Sequence, residues 1–532
     1  MSPHRLRAAL VAASLLCPAA ASAFCGFYVS GSSDGLYNKA TRAALLRDGT
    51  RTVLTMSNDY EGPAEDFAMV VPVPVVLSRD NVRTLPHDVF NHLEALTAPR
   101  LVEYWEQDPC ASSHTMGDSL RNLPGVALTS LESMVTDDSV SPAVRVEARF
   151  AVGEYEVVIL SADESSALEA WLRANRYNIP RGAAAALGPY VRGEWKFFVA
   201  RVDITKAERR PGGGVRLSPL RMHYDSTELR LPVRLGLLNA PPGPQDLIVY
   251  VLHPSARFEV ANYRNAFIPT NLELTEGARD RFAEMYGALF DATLQANGQR
   301  AVITEYAWST GGCDPCPTPP LDGDDLATLG ADVAPDFRGT NMVVTRLHAR
   351  YNAATLSDDL VFREALPVTG GHERPRAPDR DDAPDIGATR TSTGNAFQAR
   401  YVVRHPWTGP VTCAEPRRGV WGAPPQASEP PVMAARELAT ASREAVDLPA
   451  MVRTRVPNLD LAARLQLPVS PAAPPSSIPA AGVRRGCACD VPMRPSRGGL
   501  CAVVAFAAVA LRRRQRPTRS MTVTSTRSST GQ

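Results

Sequence analysis

The sequence has almost no lysine, and it lacks the patterns that would assign a function directly. Its charged residues balance to a formal net charge of +1 over 532 residues, and no basic stripe interleaved with aromatic residues occurs. Both properties argue against a nucleic-acid partner. The chain also contains no G-x-S-x-G elbow, S-x-x-K pair, P-loop, H-E-x-x-H or dinucleotide-binding fingerprint. The commonest hydrolase and nucleotide-binding classes are therefore not indicated, and no cofactor is expected.

The N-terminus has the pattern of a segment that directs export. Residues 1–23 combine basic residues, an apolar run from Ala8 to Leu16 and the small-residue site Ala21-Ser22-Ala23. This order is typical of a secretory signal peptide. We therefore predict cleavage before Phe24 and export of the mature chain to the cell envelope or surface.

The C-terminal region has a second apolar segment, at residues 498–511. It is shorter than the roughly 20 residues that usually span a bilayer, but an arginine cluster follows it at once. This cluster is a candidate cytoplasmic stop and consists of Arg512, Arg513, Arg514 and Arg516. We predict a membrane anchor with a polar tail at 517–532 inside the cell; the alternative is a buried core helix.

Two cysteines, Cys487 and Cys489, precede this apolar segment. With the short helix and the arginines they resemble the MYXO-CTERM sorting tails of myxobacterial surface proteins, over residues 487–516. The resemblance implies an intramembrane cleavage, with a cysteine as the lipid-attachment point. Such tails usually stop at the arginines, whereas this chain continues to Gln532.

The exported body retains five of the nine cysteines, and these would tend to pair in an oxidising compartment. They are Cys25, Cys110, Cys313, Cys316 and Cys413. Because five is an odd number, one cysteine stays free or pairs outside the body. The spacing does not give the connectivity.

The body, residues 24–420, has the patterns of many strands and a few helices. Alternation of apolar and polar residues is clearest at 227–235, where Pro232 suggests a sheet edge. The proline-containing apolar stretch 67–77 is expected at an edge or a bulge. Further strands are predicted at 51–56, 154–160, 194–202, 246–252, 301–308, 341–349 and 396–404.

Three amphipathic helices are predicted between these strands. One starts at Pro86, one follows a cap at Ser161, and one covers residues 277–293. The predicted fold class is therefore α+β, with a β-rich body. Charge, Gly and Pro predict a disordered loop near 367–392, and a Pro- and Ala-rich linker at 424–486 with one short helix over 432–445.

The body contains several ordered motifs: FCGFY at 24–28, YEGPAEDFAMVVPVP at 60–74, PRLVEYWEQDPC at 99–110, WLRANRYNIP at 171–180, the segment 308–316 and RHPW at 404–407. Together they resemble the uncharacterised bacterial domain-of-unknown-function family 2330. The resemblance spans roughly residues 24–420. It implies an exported protein, and the family carries no assigned reaction.

Cys313-Asp314-Pro315-Cys316 has the spacing of a redox dithiol and of half a zinc site. A zinc site needs a second pair of ligands, for which only Cys413 and scattered histidines remain. A thioredoxin-like site needs a following helix, which the prolines after the motif prevent. A structural disulfide in a loop is favoured, with the redox and metal readings as alternatives.

Other chemically suggestive groups have simpler explanations. Asp322–Asp325 resembles part of a calcium loop but lacks the later glutamate, so a helix-capping turn is favoured. His87 and His92 face different directions on one helix. Cys110 and His114 could form a nucleophilic pair, but a bridged Cys110 is favoured. No catalytic or metal-binding residue is therefore assigned.

A surface loop containing Arg404, His405 and Trp407 is the first choice for a binding surface. The sequence as a whole predicts a non-catalytic binding or structural protein of the cell envelope, anchored in the membrane at its C-terminus. Its ligand would be an envelope protein or a glycan. The alternative is an envelope enzyme, such as a thiol oxidoreductase that uses Cys313 and Cys316.

Overall fold

The computed structural model divides the chain into two units, Met1–Ser476 and Ser477–Gln532. Every residue whose structure is described belongs to the first unit. These residues are 27–30, 37–38, 41–57, 60–61, 67–111, 143–175, 177, 179, 182–209, 215–238, 245–334, 341–372, 389–425, 427, 430–434 and 446–453. The signal peptide and the anchor segment of the sequence analysis lie outside them.

Strands dominate the described residues. They are β1 (Phe27–Ser30), β2 (Tyr37–Asn38), β3 (Thr41–Asp48), β4 (Arg51–Ser57), β5 (Tyr60–Glu61), β6 (Phe67–Val73), β7 (Val82–Thr84), β8 (Arg100–Glu106), β9 (Val144–Val152), β10 (Tyr155–Ala162), β11 (Lys196–Val202), β12 (Glu208–Arg209), β13 (Val215–Arg216), β14 (Leu220–Asp225), β15 (Leu229–Leu231), β16 (Gln245–His253), β17 (Arg257–Val260), β18 (Arg264–Phe267), β19 (Leu272–Glu273), β20 (Ala301–Ser309), β21 (Val343–Tyr351), β22 (Leu360–Ala365), β23 (Val368–Gly370), β24 (Arg390–Thr391), β25 (Ala396–Gln398), β26 (Arg400–His405), β27 (Trp421–Gly422) and β28 (Val432–Ala434).

The helices of the described residues are fewer and mostly short. They are α1 (Asp88–Thr97), α2 (Ser165–Ala174), α3 (Ala183–Arg192), α4 (Phe282–Ala296), α5 (Gly323–Thr328) and α6 (Leu448–Met451). Single 3₁₀ turns occur at Arg79–Asn81, Arg234–Leu238, Glu276–Ala278 and Ala331–Val333. None of the helices in the described ranges is both long enough and apolar enough to cross a membrane.

The largest sheet has eleven strands in the order β24-β23-β25-β20-β21-β16-β3-β4-β14-β7, with β18 also paired to β20. A second, antiparallel sheet has the order β1-β6-β11-β10-β9. The two sheets face each other through one apolar cluster, in which Val71 and Phe198 of the smaller sheet join Met222 and Leu347 of the larger one. Burial of these inward-facing residues is the main force that holds the two sheets together.

Helices cover the outer faces of both sheets. On the large sheet, α1 buries Phe90 and Leu93 beside Ile248 of β16, and α4 buries residues such as Leu289 beside Ile303 of β20. On the smaller sheet, α2 and α3 pack in a separate apolar cluster with Phe197 and Val199 of β11. The described body is thus a four-layer arrangement, helix–sheet–sheet–helix.

A small sheet at the end of α4 carries several residues of interest. Its order is β19-β26-β8-β27, with β28 also paired to β8. β26 and β8 are parallel, in a register that places Arg400 opposite Arg100 and His405 opposite Trp105. Because β25 and β26 follow each other in sequence, this sheet continues directly from the large one.

The predicted β-rich α+β class is confirmed at that coarse level. Six of the predicted strands form close to their expected bounds, as β4, β10, β11, β16, β20 and β21. The predicted helices form as α1, α2 and α4. The membrane helix of the prediction falls on residues 498–511, which are not among the described ones.

Other elements differ from expectation for identifiable reasons. Within 227–235 only Leu229–Leu231 is a strand, because the chain turns into the 3₁₀ segment Arg234–Leu238 after Pro232. Ser161 does not cap α2: it lies in β10, and Glu164 is the N-cap. The stretch 396–404 is two strands in different sheets, joined at Ala399.

The proline-rich strand β6 lies between β1 and β11, which corrects the expectation of a sheet-edge strand. Its pairing with β1 covers only Phe67–Val70, whereas its pairing with β11 continues to Val73. Pro72 therefore lies in the part of β6 with one strand neighbour. A proline has no backbone N–H to donate. On the side of Pro72 where the pairing with β1 has ended, no neighbouring strand of the sheet needs that N–H.

Part of the segment predicted as a linker packs against the body. Val432–Ala434 pairs with β8 as β28, where a helix was expected to begin. α6 follows at Leu448–Met451, and the Leu448 side chain is buried in the same cluster as α4. In the predicted loop near 367–392, β23 and β24 pair with each other, while residues 373–388 lie outside the described ranges.

Candidate functional site

Six charged residues meet beneath α1 and α4 on the outer face of the large sheet. Alternation along β21 sends Leu347 and Ala349 toward the second sheet and Arg346 and His348 toward the helices. We call the whole group the charge cluster: Glu94, Asp246, Glu305, Arg346, His348 and Arg350. Its members on β16 and β21 are brought together by register, since Asp246 pairs with Arg350 across the two strands.

Glu305 enters the charge cluster through a β-bulge. The register between β20 and β21 shifts between Thr304 and Tyr306, so Glu305 is the extra residue at this point. A bulge re-aims the side chain of the inserted residue. Its carboxylate is fully buried and accepts hydrogen bonds from Tyr286 on α4 at 2.5 Å and from Arg346 at 2.6 Å.

Arg346 links the two glutamates of the charge cluster. Its Nη1 and Nη2 donate to the two carboxylate oxygens of Glu94, on α1, at 2.8 and 3.0 Å. Its Nε donates to Glu305. The Tyr250 hydroxyl donates to Glu94 at 2.5 Å. This bidentate geometry, in a side chain that is 1% exposed, is the strong form of an arginine–carboxylate pair.

His348 lies between two carboxylates. Its Nδ1 is 2.7 Å from Glu305 Oε1, and its Nε2 is 3.1 Å from Asp246 Oδ1. Because a carboxylate can only accept, both ring nitrogens must carry protons to satisfy both contacts. Burial acts to lower the pKa of His348, but the charge of Glu305 and the hydrogen bonds to Asp246 and Glu305 outweigh it and raise that pKa.

The acids of the charge cluster are held ionised. Burial acts to raise the pKa of Glu305, but the charges of His348 and Arg346 prevail and lower it to about 2. The pKa of Asp246 is likewise lowered against the effect of burial, by His348 and then Arg350. The pKa of Glu94 is lowered by Arg346. Three carboxylates thus face two guanidinium groups and one imidazolium, and the charges compensate.

Arg350 closes the charge cluster toward α4. It donates to both oxygens of Asp246, at 2.7 and 3.2 Å, and to Asp291 of α4. Among the described residues, no buried side-chain nitrogen or oxygen of the charge cluster lacks a hydrogen-bond partner. The cluster satisfies itself, and it fixes α1 and α4 to the sheet.

A second polar region begins on the other side of α1, after β20. The cysteine loop, residues 312–320, contains Cys313 and Cys316 with their sulfur atoms at disulfide-bonding distance and Cα atoms 5.0 Å apart. Cys313 and Trp308 pack against the apolar cluster of α1. Cys316 is exposed.

Side chains from three other elements hold the cysteine loop. Arg100 Nη1 donates to the Pro315 carbonyl at 2.8 Å, and Gln398 Nε2 donates to the Asp314 carbonyl. His92 Nε2 is 2.9 Å from the Pro319 carbonyl. The loop is thus fixed to β8, β25 and α1 by hydrogen bonds that do not involve sulfur.

Two arginines lie side by side beneath the cysteine loop. Arg100 and Arg400 oppose each other on parallel strands and are 0% and 4% exposed. Arg100 Nη2 donates to the Leu96 carbonyl near the end of α1 at 2.5 Å. Burial, and then the charge of Arg400, lower the pKa of Arg100 to about 10, against opposing effects of Tyr306 and Asp314. Arg100 therefore remains a cation at neutral pH.

The predicted binding loop is held by contacts within the body. Arg404 Nη1 donates to Glu273 at 2.6 Å. His405 lies 2.9 Å from Glu103 and stacks on Trp105, with ring centroids 4.4 Å apart. The Trp407 backbone N–H donates to Glu106 at 3.0 Å. These side chains are partly exposed, and each of the three residues already has a polar partner within the body, although the buried Nε of Arg404 has none among the described residues.

The structure places only some of the predicted cysteine and anchor residues. Cys110 and Cys413 lie at disulfide-bonding distance, with Cα atoms 5.5 Å apart and a sequence separation of 303. The remaining candidates lie outside the described residues: Cys25, Cys487, Cys489, Arg512, Arg513, Arg514 and Arg516.

The favoured reading of the acidic turn agrees with the geometry. The Asp322 side chain accepts from the backbone N–H groups of Asp324 and Asp325, and Asp325 returns a bond to the Asp322 N–H. This is a capping box at the start of α5. His114, the proposed partner of Cys110, falls outside the described ranges. Across those ranges, no group of three or more His, Cys, Asp or Glu could hold a metal ion.

The charge cluster was missed in the sequence. Its signal is present: T-R-L-H-A-R at 345–350 alternates small or apolar residues with basic ones inside an apolar strand. A buried basic face of this kind requires acids on neighbouring elements. Their identity was not readable, since Glu94 lies 252 positions from Arg346.

Comparison with known proteins gives one match. A family model described as "Uncharacterized protein conserved in bacteria (DUF2330)" matches residues 18–363. No curated protein and no solved structure matches. The family match covers more than half of the chain, and the chain therefore belongs to this family. The match includes the whole charge cluster and the two cysteines of the cysteine loop.

Proposed function

We propose that this member of the family is an exported protein of the bacterial cell envelope, with a non-catalytic binding or structural role. The observation that carries the proposal is the position of Cys110 and Cys413. The two cysteines are 303 residues apart in sequence, yet their sulfur atoms lie at bonding distance. Cross-links of this kind persist in oxidising compartments and are rare in the cytosol.

The patterns at the two ends of the chain support the same proposal. Residues 1–23 have the features of a cleaved signal peptide, and residues 498–511 with the arginines after them have those of a membrane stop. In this proposal the C-terminal segment holds the body at the membrane, with Cys487 or Cys489 as a lipid-attachment point. The partner would be an envelope protein or a glycan.

The non-catalytic part of the proposal rests on the pairing and burial of the charges in the charge cluster. The charge cluster contains the most strongly perturbed acids and histidine of the body, which is where catalytic groups are often found. Here each acid is ionised against an internal cation, and the group is sealed under α1 and α4. Such an arrangement serves stability rather than proton transfer to a substrate.

The mass of the mature protein from its native host tests this proposal. We expect a chain that begins at Phe24, with the loss of two hydrogen atoms for each cysteine pair, in the membrane or surface fraction. A thioether- or thioester-linked lipid at Cys487 or Cys489 would identify the anchor. Recovery of the intact chain from Met1, with reduced thiols and in the cytosolic fraction, would overturn the proposal.

A second function is favoured by the exposure of Cys316. In this alternative the protein is an envelope thiol oxidoreductase that exchanges its Cys313–Cys316 disulfide with the thiols of another polypeptide. The test is the rate at which the purified protein oxidises or rearranges a reduced, disulfide-containing polypeptide. The double variant Cys313→Ser/Cys316→Ser is the control, and equal rates for the two proteins would remove this candidate.

A further inference from the structure

The geometry points to a fixed direction of thiol–disulfide exchange, in which an incoming thiolate attacks Sγ of Cys316 and Cys313 is the leaving thiolate. This assignment rests on the second proposed function, because it concerns the same cysteine pair. The ligand class is a thiol, supplied by a small molecule or by a polypeptide. The second cysteine of the C-x-x-C motif, Cys316, is then the site of exchange. The first cysteine, Cys313, is the thiol that resolves the mixed disulfide.

Access to the two sulfurs differs. Attack on a disulfide requires the nucleophile to approach the attacked sulfur from outside the bond. Cys316 is exposed, so a thiolate in solution can reach it. Cys313 is partly buried and packs, with Trp308, against the apolar cluster beneath α1. An external thiolate would have to displace part of that packing to reach Cys313.

Charged groups of the loop and of the strands beneath it also act on the two thiols. A positive charge nearby lowers the pKa of a thiol, and a thiol of lower pKa leaves faster. Arg100 donates to the carbonyl of Pro315, inside the cysteine loop, and Arg400 lies opposite it on the next strand. The Nε of Arg100 is buried and has no hydrogen-bond partner among the described residues. Asp314, next to Cys313 in the loop, is the negative charge that opposes this cation, and the variant Arg100→Gln described below measures the net effect on the thiol.

The loop would keep the two cysteines together after the bond opens. Its hydrogen bonds from Arg100, Gln398 and His92 reach backbone carbonyls and do not depend on the disulfide. Cys313 would therefore stay close to a mixed disulfide at Cys316. This proximity favours fast resolution, because the attacking group is already positioned.

The exchange balances as follows. A thiolate RS⁻ attacks Cys316 Sγ, a new RS–S bond to Cys316 forms, and the Cys313–Cys316 bond breaks with its electron pair on Cys313. A second thiol of the same reductant then attacks its own sulfur in the mixed disulfide, so that the reductant is oxidised to a disulfide and both cysteines are reduced. In reverse, the Cys316 thiolate attacks a substrate disulfide and Cys313 resolves the adduct.

The experiment separates the two cysteines with single variants, leaving Cys110 and Cys413 in place. Cys313→Ser leaves Cys316 free, and Cys316→Ser leaves Cys313 free. Each folded protein is mixed with 5,5′-dithiobis(2-nitrobenzoate), and the release of the coloured thiol is followed. We expect Cys316 to react at least about tenfold faster than Cys313, because the burial of Cys313 restricts access of the reagent more than any gain in thiolate character compensates.

The same comparison in urea provides the control. Once the chain is unfolded, the two variants should react at closely similar rates, because both cysteines are then exposed. Wild-type protein treated with excess glutathione, quenched with acid and digested should carry the adduct on Cys316. A predominance of adducts on Cys313, or equal rates in the folded variants, would overturn the assignment.

The part played by Arg100 needs a separate readout. In the Cys316→Ser background, the pH at which Cys313 becomes half-reactive toward iodoacetamide measures its thiol pKa. Arg100→Gln should raise that pH by about one unit, since a nearby cation is removed, and Arg100→Lys should restore part of the shift. An unchanged midpoint in a folded Arg100→Gln protein would exclude Arg100 as a positioning residue.

These outcomes distinguish the assignment from the function on which it rests. If Cys316 reacts first but no polypeptide substrate is turned over, the oxidoreductase function fails and the exchange site stands. If turnover is observed while Cys313 forms the adducts, the function stands and the assigned direction is wrong.

Discussion

The charge cluster and the cysteine loop lie on two sides of α1, and they differ in how their buried charges are compensated. In the charge cluster, Arg346 meets Glu94 and Glu305 at 2.6–3.0 Å, and each remaining charge also has a partner of opposite sign. Beneath the cysteine loop, Arg100 faces another arginine across the strands and donates only to backbone carbonyls, with Asp314 of the loop as the opposing negative charge. The first region pairs every buried charge directly, and the second holds two neighbouring buried cations by hydrogen bonds to neutral groups.

The largest expected effect is the loss of Arg346. Arg346→Met would leave the two glutamates Glu94 and Glu305 buried without their shared cation, and breaking a buried pair typically costs about 3–5 kcal/mol. We expect a loss of this size in the free energy of unfolding, measured in urea at pH 6. Arg363→Met is the matched control, because its pair with Glu259 is partly exposed and should cost less than about 1 kcal/mol. Equal losses of stability in the two variants would show that the buried ion pairs of Arg346 contribute no more than a partly exposed pair.

The charge cluster also predicts a pH window for stability. The pKa of His348 is raised from 6.5 in the folded state, so its contribution is complete below pH 6.5 and is lost as pH rises through the folded pKa. The pKa values of Asp246 and Glu305 are lowered from 3.8 and 4.5, so their contribution is present above those values and is lost as pH falls through the folded ones. The cluster should stabilise most between about pH 4.5 and 6.5.

His348→Gln tests this window. The variant should lose about 2–3 kcal/mol at pH 6, the typical size for hydrogen bonds to charged groups, and less at pH 9. His253→Gln is the control. Burial lowers the pKa of His253, so this residue does not contribute stability that is lost at alkaline pH. Urea unfolding at pH 6 and 9 measures both variants. A pH-independent loss in His348→Gln would show that the residue is neutral in the fold.

The cysteine loop should contribute less to stability. A disulfide stabilises mainly by restricting the unfolded chain, and a loop as short as that between Cys313 and Cys316 gives about 2 kcal/mol on the chain-entropy model. Cys313→Ala/Cys316→Ala should therefore lower the free energy of unfolding by about that amount, measured without reductant. A loss above about 4 kcal/mol would make this pair a main structural clamp and weaken the case for exchange.

Arg100→Met is expected to have the smallest effect of the four. It removes two hydrogen bonds from a charged donor to carbonyls, each worth about 1.5–3 kcal/mol, and it also removes one of two neighbouring buried cations. The two changes oppose each other, and we expect a net loss of about 1 kcal/mol in urea unfolding. A loss as large as that of Arg346→Met would show that the arginine pair is a structural element like the charge cluster.

Much of the secondary structure could be read from the sequence, because it depends on local patterns. The strands at 246–252 and 341–349 and the helix that buries Phe90 and Leu93 follow from residue periodicity alone. The break at Ala399 could not be read, since it depends on β26 pairing with β8 about 300 positions away. The packing of the two sheets against each other and the pairing of Val432–Ala434 with β8 also depend on contacts between residues far apart in sequence, so they could not be read either.

The candidate sites show the same distinction between local signals, which can be read from the sequence, and long-range contacts, which cannot. The cysteine spacing and the capping turn at Asp322 are local signals: the two sulfur atoms lie at disulfide-bonding distance, and the turn forms the expected cap. The role of Glu305 depends on a bulge that only the neighbouring strand reveals. The partners of Arg404 and His405 come from β8, β19 and the segment before α4, so the loop looked more available for binding in the sequence than its contacts leave it.

The pairing of β28 with β8 bears on how the protein should be produced in the laboratory. A recombinant fragment ended at residue 420 would lack both β27 and β28, and would leave the backbone groups along one side of β8 without partners. Bare strand edges invite self-association. Expression plasmids should therefore extend at least past Arg453, whose N–H donates to the Glu273 carbonyl, so that the purified domain carries its own edge protection.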